Sequence, residues 1–585
     1  MKYNLLEHAN LLAMKEKHPD WIWNRSDTHI LLGVPGTVDA FKTPVEPGNS
    51  FSPGPGTYGV STWVSENGRL YAPETMDISE LHWSFADGHF PISRSSWKAG
   101  SVKVLSELFC DGEAETSNIK DYLTVTLENT CEQETECNFY LVIRSFGASG
   151  NKINKLTRDG DILHVNGAPL IYLPQQAGEL RTVSYEQTGK DVSCYLREGK
   201  LPQDTALDDP SGWGSGVVSF SVWLKPGEKI AYSFVFHLRA GHWMFNWRDT
   251  MSQPIDVAAA REAFLKKWEK DLVIGLNLPD RRFVDAFYCQ LVHLYMFTVH
   301  NSPRISPVSY PLWWLRDGSY VLNALNKGGF HQFSEAACRE ISRKNACGGF
   351  GSEGDGPSNI IWILSEHYLL THDRKFLQEM LPVMQEKADL LIRMRHATDV
   401  VKEYADYCIP SLVLEANIDV MCIPAKDGLI FGRMDGHFPI LWVNSFAFMA
   451  LTRFVRCAKE LGIDTQKYET EAEELKKAIK AKSREIFGQN DRDVNCAFWP
   501  AGWASRDDAF IMGKFDEFWN TVRYPDGVHN PEPMWTYFEA GQAHNNILAG
   551  KRERAWVSIE YFLNKHTAQG IYTYHESNCD ENTSL

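Results

Sequence analysis

The chain has little of what marks a secreted, membrane-spanning or disulfide-linked protein. Its first residues, MKYNLLEHANLLAMKEKHPDWIW, contain no uninterrupted apolar stretch followed by a small-residue cleavage site, so no secretory signal is visible. No apolar run approaches the roughly 20 residues that span a bilayer. The 12 cysteines are scattered, without a CxxC pair or a Cys/His cluster at zinc spacing. These absences predict a cytoplasmic protein with reduced thiols, no membrane partner, no metal and no cofactor.

A basic stripe is also missing. The formal net charge is −16, and Lys and Arg form no run, which argues against nucleic acid as a partner. Aromatic residues, in contrast, are plentiful, with 19 Trp and 22 Tyr. Flat indole faces stack on sugar rings, although large buried cores also use Trp. The composition therefore favours a carbohydrate partner and leaves the oligomeric state open.

The pattern of apolar residues along the sequence changes near residue 255. Before it, short β-rich segments alternate with turn signals and show no helical period, a pattern typical of antiparallel sheets packed face to face. The sequence thus predicts an N-terminal β-sandwich over residues 1–250. Its clearest predicted strands are Val102–Leu108, Tyr122–Leu127, Cys137–Ile143, Gly216–Leu224 and Lys229–Leu238.

After Asp256 the apolar period becomes 3.6 residues. Residues 251–279 are predicted to be a helical linker, and residues 280–585 to form serial helical hairpins. The irregular loops between the hairpins differ from the equal repeats of a solenoid, which favours a closed toroid. The predicted helices are Arg282–Asn301, Gly318–Gly328, Phe333–Lys344, Pro357–Thr371, Arg374–Arg395, Trp442–Leu461, Gln466–Phe487, Ala504–Asn520, Met534–Ala549 and Arg552–Asn564.

The densest group of candidate functional residues is YPLWWLRDGSYVLNALNKGG, residues 310–329. Asp317 lies near the first turn of a predicted helix, where the helix dipole favours a carboxylate, and Arg316 offers a planar fork of donors. Trp313 and Trp314 come just before. We predict a sugar subsite in which the indoles stack beside a charged clamp for hydroxyls. A helix N-terminus with a capping Asp and a surface Arg is the alternative.

The segment WLRDGSYVLNALNKGGF resembles the Trp-Leu-Arg-Asp segment of glucoamylase-like enzymes, glycoside hydrolase family 15, and the wider six-hairpin group. The resemblance extends from about Arg282 to the C-terminus. It implies a multidomain β + α fold, in which an antiparallel β-sandwich precedes an (α/α)6 toroid. It also implies an inverting glycosidase that needs no metal.

A second segment, GGFGSEGDGPSNIIW, resembles the aspartate-containing loop of that family, which lines the substrate pocket. The resemblance implies that Asp355, and with it Glu353, binds substrate hydroxyls. Pro357 then begins a helix. An acidic flexible surface loop is the alternative.

A third segment, beginning KDGLIFGRMDGHF, resembles the loop that carries the general acid of the family. The family has Glu where this chain has Phe431, which carries no proton. We predict that Asp435 acts as the acid, because a partly buried Asp is held protonated by desolvation. Asp427, Glu415 and a loss of catalysis are the alternatives.

The last segment, residues 531–576, resembles the region that supplies the family's general base. Glu576 is the acidic residue nearest that position, and Glu539 is its rival. Trp535 joins the predicted substrate-binding residues. Only nine residues follow Glu576, so the sequence leaves open whether the last hairpin is present.

The sequence thus predicts an inverting, exo-acting glycoside hydrolase that cleaves glucosides or related oligosaccharides with paired carboxylates. A six-hairpin phosphorylase is one alternative. A polysaccharide lyase is another, which Tyr572, Tyr574 and His575 keep open. A non-catalytic carbohydrate-binding protein is the third, motivated by Phe431.

Overall fold

The computed structural model of the chain describes residues 5–25, 29–114, 118–173, 178–238, 255–305, 313–342, 347–348, 351–403, 419–434, 436–488, 490–522, 535–566 and 570–574. Strands dominate these residues before position 239, and helices dominate them after position 255. The strands of the first half are β1 Ile30–Gly33, β2 Lys42–Val45, β3 Gly59–Glu66, β4 Arg69–Tyr71, β5 His82–Ala86, β6 Phe90–Ala99, β7 Val102–Gly112, β8 Ile119–Asn129, β9 Thr135–Arg144, β10 Lys155–Asp159, β11 Ile162–Val165, β12 Ala168–Tyr172, β13 Glu179–Val183, β14 Leu207–Asp208, β15 Ser215–Leu224 and β16 Lys229–His237.

Two large antiparallel sheets and the two-stranded pair β1–β2 form the described N-terminal half. The larger has nine strands in the order β14-β10-β11-β12-β16-β8-β7-β6-β5, and the smaller has five in the order β13-β15-β9-β3-β4. Burial alternates along β8, where every second side chain is buried, as a strand with one core-facing side requires. Val125 and Leu127 of the larger sheet share one core with Phe139 and Phe220 of the smaller. The predicted β-sandwich is confirmed.

Helices and three small strand pairings make up the second half. Three short helices lie outside it: α1 Leu5–Lys17, α2 Tyr185–Thr188 and α3 Val192–Arg197. The helices of the second half are α4 Val257–Asp271, α5 Arg281–Met296, α6 Leu315–Lys327, α7 His331–Ile341, α8 Gly356–Thr371, α9 Arg374–Arg395, α10 Ile440–Glu460, α11 Gln466–Ile486, α12 Asn490–Ala497, α13 Ala509–Val522, α14 Thr536–Leu548 and α15 Arg552–Tyr561. Its strands are β17 Cys347–Gly348, β18 Gly351–Ser352, β19 Val401–Lys402, β20 Val420–Lys426 and β21 Leu429–Gly432.

Helices α6 and α8 run parallel, although α7 lies between them in the chain. At their N-terminal ends Arg316 Nη1 lies 3.6 Å from Asp355 Oδ2. Toward their C-terminal ends the ring nitrogen Nδ1 of His367 lies 3.2 Å from Asn326 Oδ1. Two contacts in the same order along both helices fix the common direction.

Helix α10 continues the same direction. Trp442 in its first turn contacts Asp355 at the start of α8, and Arg453 further along α10 forms an ion pair with Glu366 of α8 at 2.7 Å. By length and composition α10 could cross a membrane, but 72% of its apolar window is buried within the structure. Such burial is typical of a core helix.

Helices α12 and α14 complete a ring. Asn495 Nδ2 donates to the Phe538 carbonyl, and the amide of Asn545, further along α14, donates to the Asn495 carbonyl. The rings of Tyr537 on α14 and Tyr320 on α6 are 5.8 Å apart, so the last of these helices returns to the first. Helices α6, α8, α10, α12 and α14 form the inner layer, and the intervening helices pack outside them. The predicted helical toroid is confirmed.

A buried lysine joins the sandwich to the helical half. Lys42 Nζ donates to the carbonyls of Val34 (3.0 Å), Met296 (2.6 Å) and Thr298 (3.2 Å). Met296 ends α5, where an ammonium group favours the helix dipole. The junction of the two halves is therefore hydrogen-bonded as well as apolar. The predicted boundary at residues 250–251 lies outside the described residues.

Candidate active site

One end of the ring gathers the N-termini of the five inner helices that lie in the described residues. Arg492 and Cys496 of α12 contact His437 and Ser445 in the same order, so α12 has the direction of α10. Asn495 and Trp499 contact Phe538 and Asn545 of α14 in the same order, so the first turns of these helices meet at one end, which we call the mouth. Each N-terminus carries the positive end of a helix dipole and unpaired backbone N–H groups. The mouth is therefore an environment that favours carboxylates.

Arg316 forms a nearly buried ion cluster at the mouth. Its Nη1 atom donates to Glu353 Oε2 at 3.0 Å and lies 3.6 Å from Asp355 Oδ2. The side chains of Arg316, Glu353 and Asp355 are 12%, 5% and 1% exposed. Removing one partner of such a cluster leaves an uncompensated buried charge, which is strongly destabilising. Arg316 and the two acids predicted in the second segment are thus brought together, and the two acids hold the guanidinium.

Asp355 has a further partner on the next inner helix. The indole Nε1 of Trp442 donates to Oδ2 of Asp355 at 3.0 Å, while Oδ1 has no hydrogen-bond partner in the described part of the chain. Trp442 was not among the predicted site residues. Its position in the first turn of a predicted inner helix, like that of Arg316, is the sequence signal that could have identified it.

Asp317 is the most accessible acid of this group. Its Oδ2 lies 3.9 Å from Arg316 Nε, and its side chain is 25% exposed. It belongs to the first turn of α6, as predicted from the sequence. Among Arg316, Asp317, Glu353 and Asp355, Asp317 is therefore the residue best placed to meet a ligand.

The two tryptophans before α6 are more buried than a stacking platform requires. Trp313 is 3% exposed and packs against the first turn of α6, where a Cβ added to Gly318 would lie 2.3 Å from its Nε1. Trp314 is the N-cap residue of α6 and is 9% exposed. In the described residues Trp313 packs against α6, and the substrate-binding role of Trp313 and Trp314 stays a prediction.

Trp535, unlike Trp313 and Trp314, is exposed to solvent. It is the N-cap residue of α14, is 43% exposed, and packs edge-on against Phe538 at 5.0 Å. An indole with a fixed orientation and an open surface is suited to stacking. Its place at the mouth agrees with the predicted substrate-binding role.

An aromatic cluster closes the interior of the ring below the mouth. The ring of Tyr320 lies 5.0 Å from Trp362, 5.4 Å from Trp499 and 5.8 Å from Tyr537. Burial, together with the charge of Asp317, raises the pKa of Tyr320 well above its ordinary value, so its hydroxyl stays protonated. Sequence reasoning missed this cluster. Tyr320 lies three residues after Asp317, on the same side of α6, and that spacing was the available signal.

Glu539 points toward an outer helix. Ser558 Oγ on α15 donates to Glu539 Oε1 at 2.5 Å, and Glu539 is 1% exposed. This buried pair joins α14 to α15. The structure gives Glu539 a structural contact, and the catalytic role that rivalled Glu576 stays a prediction.

The predicted general acid, Asp435, lies outside the described residues, but its neighbours are described. Met434 and His437 pair with each other through both backbone N–H groups, and His437 Nε2 lies 2.6 Å from Nη1 of Arg492 on α12. The N–H of Gly354 donates to the Arg433 carbonyl at 2.7 Å. The segment before Asp435 thus lies against the loop that carries Glu353, and the segment after it lies against α12.

The position that corresponds to the family's acid is part of a hairpin. Phe431 lies in β21 opposite Ile423 of β20, and its side chain packs on the helical core. The alternative acid Asp427 follows β20 in the turn of this hairpin, with a side chain 49% exposed, whereas Glu415 lies outside the described residues.

The predicted base, Glu576, also lies outside the described residues. The segment before it crosses from the sandwich to α5. Gly570 accepts a hydrogen bond from the Phe85 N–H of β5, and His293 Nε2 lies 3.0 Å from the Ile571 carbonyl. Because that carbonyl can only accept, the ring donates from Nε2. Burial lowers the pKa of His293 to about 4, so the ring is neutral at ordinary pH.

No protein-family model matches the chain, and no curated protein has a significant sequence match. Solved structures do resemble it. A bacterial glucoamylase complexed with acarbose has a TM-score of 0.60 at 11% identity, covering 95% of this chain and 92% of the other. A family GH92 inverting mannosidase from Bacteroides thetaiotaomicron has a TM-score of 0.35 at 10% identity, covering 94% and 86%. The first likeness establishes that the chain has the six-hairpin, glucoamylase-like fold. The second is too distant to add to this conclusion.

Proposed function

We propose that the protein is an inverting, exo-acting glycoside hydrolase that cleaves glucosides or related oligosaccharides. The observation that carries the proposal is the convergence of Arg316, Asp317, Glu353 and Asp355 at the mouth of a glucoamylase-like ring. Within this cluster one guanidinium faces three carboxylates. An excess of negative charge stabilises the oxocarbenium-like transition state of glycoside hydrolysis.

Asp317 and Arg316 bind hydroxyl groups of the terminal sugar in this proposal. Asp317 accepts hydrogen bonds from the hydroxyls, and the guanidinium of Arg316 donates to them. The two buried acids fix the guanidinium plane before the substrate arrives, so less conformational entropy is lost on binding. Trp535 stacks on a sugar ring at the mouth.

Asp435 is proposed as the general acid. A general acid must remain protonated near neutral pH, and neighbouring carboxylates favour that state by raising its pKa. The contact between Gly354 and Arg433 supports this role, because it brings the chain near Asp435 against the loop of Glu353 and Asp355. The acid delivers its proton to the glycosidic oxygen as the bond to the anomeric carbon breaks.

Glu576 is proposed as the general base. It takes a proton from a water molecule that attacks the anomeric carbon from the opposite face, which inverts the configuration. In inverting enzymes the two carboxyl groups stand about 6.5–9.5 Å apart, leaving room for that water. Residues 570–574 run from the sandwich across α5. This path supports a base that reaches the substrate from outside the ring.

The test uses a panel of α- and β-linked glucosides and short oligosaccharides, with proton NMR to follow the first anomer released. We expect a product of inverted configuration, and at least a hundredfold lower turnover in Asp435→Asn and Glu576→Gln. An activated aryl glycoside should rescue Asp435→Asn, since a good leaving group needs little protonation. A retained configuration, or wild-type rates in Glu576→Gln, would contradict the proposal.

A glycoside phosphorylase is the second candidate. The contact between Arg492 and His437 at the mouth favours it, because a guanidinium beside an imidazole suits an inorganic phosphate nucleophile. The same panel, with and without phosphate, separates the two functions. A hydrolase releases free sugar in both conditions, whereas a phosphorylase needs phosphate and forms a sugar phosphate.

A further inference from the structure

Trp223 is the most exposed tryptophan in the described part of the chain, at 62%. It lies in β15, whose alternate residues Phe220, Val222 and Leu224 face the core of the sandwich. Side chains on a strand alternate between the two faces. Trp223 therefore projects from the outer face of the five-stranded sheet, far along the strand from its covered end.

The neighbours of Trp223 on this outer face are polar. Directly opposite it on β9 is Glu136, and in the next row Ser221 lies opposite Asn138. Ser221 Oγ donates to Asn138 Oδ1 at 3.0 Å, which orients the amide. Continuing across the sheet, Ser65 of β3 lies opposite Asn138. The indole thus borders a row of hydroxyl and amide groups at strand spacing.

The other end of the same outer face is already covered. Val192 and Leu196 of α3 pack there on Tyr140, Val142 and Val217. The covered part is apolar, whereas the open part presents one indole, uncharged hydrogen-bonding groups and the carboxylate of Glu136. Beside it on β13, Glu179 forms an ion pair with Arg181. The fully buried centre of a protein–protein interface is apolar, and this open part supplies no contiguous apolar patch for such a centre among the described residues.

We infer that the open face around Trp223 is a second carbohydrate site, separate from the mouth, that binds a neutral polysaccharide chain. The indole stacks on one sugar ring, and Asn138, Ser221 and Glu136 hydrogen-bond to hydroxyls of that ring and the next. A nearly uncharged polar row matches an uncharged polyhydroxylated ligand. The choice of a polysaccharide as occupant rests on the proposed function.

Native affinity gels that contain soluble starch, dextran or a mixed-linkage β-glucan test the inference. The full chain is run as Asp317→Asn, to suppress hydrolysis, with and without Trp223→Ala. We expect retardation by at least one of these polysaccharides, and about tenfold weaker retardation when Trp223 is replaced. Trp223→Tyr, which keeps a ring, should retain part of it.

Trp556→Ala is the matched control. Trp556 is 54% exposed on α15 and stacks on Phe283, so it is a second accessible indole on the other half of the molecule. The control should migrate like its parent. With the natural Asp317, Trp223→Ala should keep the wild-type kcat/KM on a disaccharide.

The possible outcomes separate this inference from the proposed function. Retardation that depends on Trp223 without turnover of any glycoside would sustain the second site and remove the hydrolase. Turnover with no retardation, or with retardation unchanged in Trp223→Ala, would overturn the second site alone. A change of oligomeric state in Trp223→Ala, measured by light scattering, would also overturn it, because the face would then bind another copy of the chain.

Discussion

Trp442 and Asp355 join two neighbouring inner helices through one hydrogen bond, from the indole Nε1 to a carboxylate oxygen at 3.0 Å. The same oxygen lies 3.6 Å from the guanidinium of Arg316. Asp355 is thus the point at which three inner helices meet. A ligand at the mouth would depend on this contact without touching Trp442.

Trp442→Phe removes the donor and keeps an aromatic ring. We expect a loss of about 1–3 kcal/mol in the free energy of unfolding, because a buried carboxylate loses a hydrogen bond. We also expect a rise in KM, because Asp355 positions Arg316 less firmly. Urea unfolding and steady-state kinetics measure the two effects.

Trp362→Phe is the control for that change. Trp362 is also a buried tryptophan of an inner helix, but its Nε1 has no hydrogen-bond partner in the described part of the chain. The control loses the same atoms and no hydrogen bond. Equal destabilisation of the two variants would show that volume, rather than the bond to Asp355, explains the loss.

Substitutions at Asp317 and at Glu539 should have opposite effects on turnover and on the melting temperature. Asp317→Asn should lower turnover by a hundredfold or more and leave the melting temperature nearly unchanged, because the side chain is partly exposed at the mouth. Glu539→Gln should keep most of the turnover and lower the melting temperature, since a buried contact with Ser558 changes. Calorimetry measures the melting temperature of both variants, and steady-state kinetics measures their turnover. Abolished turnover in a stable Glu539→Gln would restore Glu539 as a candidate base.

Gly354 lies where two backbones touch. A Cβ at this position would be 2.5 Å from Cα of Gly432, and a backbone atom cannot swing aside as a side chain can. Gly354→Ala should therefore destabilise the protein by about 1–3 kcal/mol and lower kcat/KM by displacing Glu353. The measurements are urea unfolding and kinetics on the same preparation.

Gly513→Ala provides the comparison for Gly354→Ala. Gly513 lies in α13 with no atom within 4 Å of its added Cβ. There the change should be neutral, or stabilising by about 0.5–1 kcal/mol, because Ala is the better helix former. If both variants lose the same free energy of unfolding, the close approach of Gly354 to Gly432 does not explain the destabilisation of Gly354→Ala.

The sequence predicted the elements that have strong apolar periods. The helix predicted over Arg374–Arg395 has the same bounds in the structure, and the strand predicted over Gly216–Leu224 is longer by one residue. Helix α12, Asn490–Ala497, was not predicted, because it is short and its sequence NDRDVNCA has no apolar stripe. Tertiary packing on α10 and α14 stabilises it instead.

Only part of the candidate site could be predicted, because only part of it is encoded in local sequence. Arg316 and Asp317 adjoin in the chain, so a local motif sufficed to link them. Their grouping with Glu353 and Asp355 came from the family resemblance. The contact with Trp442 depends on the parallel packing of helices that are more than eighty residues apart, which no local pattern encodes. The burial of Trp313 likewise follows from tertiary packing.

Asp121 should make the stability of the sandwich depend on pH. It is fully buried beside Thr43, whose Oγ1 lies 2.7 and 2.9 Å from the two carboxyl oxygens, and burial raises the pKa of Asp121 to about 8. An Asp in an unfolded chain has a pKa of about 3.9. Between these values the folded protein keeps a proton that the unfolded chain has lost. The stabilisation from this group is therefore complete below about pH 4 and is lost as pH rises toward 8.

Asp121→Asn removes this titration and keeps the shape of the side chain. The difference in free energy of unfolding, wild type minus variant, should fall by about 1.4 kcal/mol per pH unit between pH 5 and 7, and level off above 8. Lys42, whose pKa burial lowers to about 7, contributes the opposite slope above that pH, but equally in both proteins, so it cancels in the difference. Urea unfolding at half-unit pH steps measures the difference directly. A flat difference across this range would mean that Asp121 is ionised in the folded protein, with Thr43 donating to it.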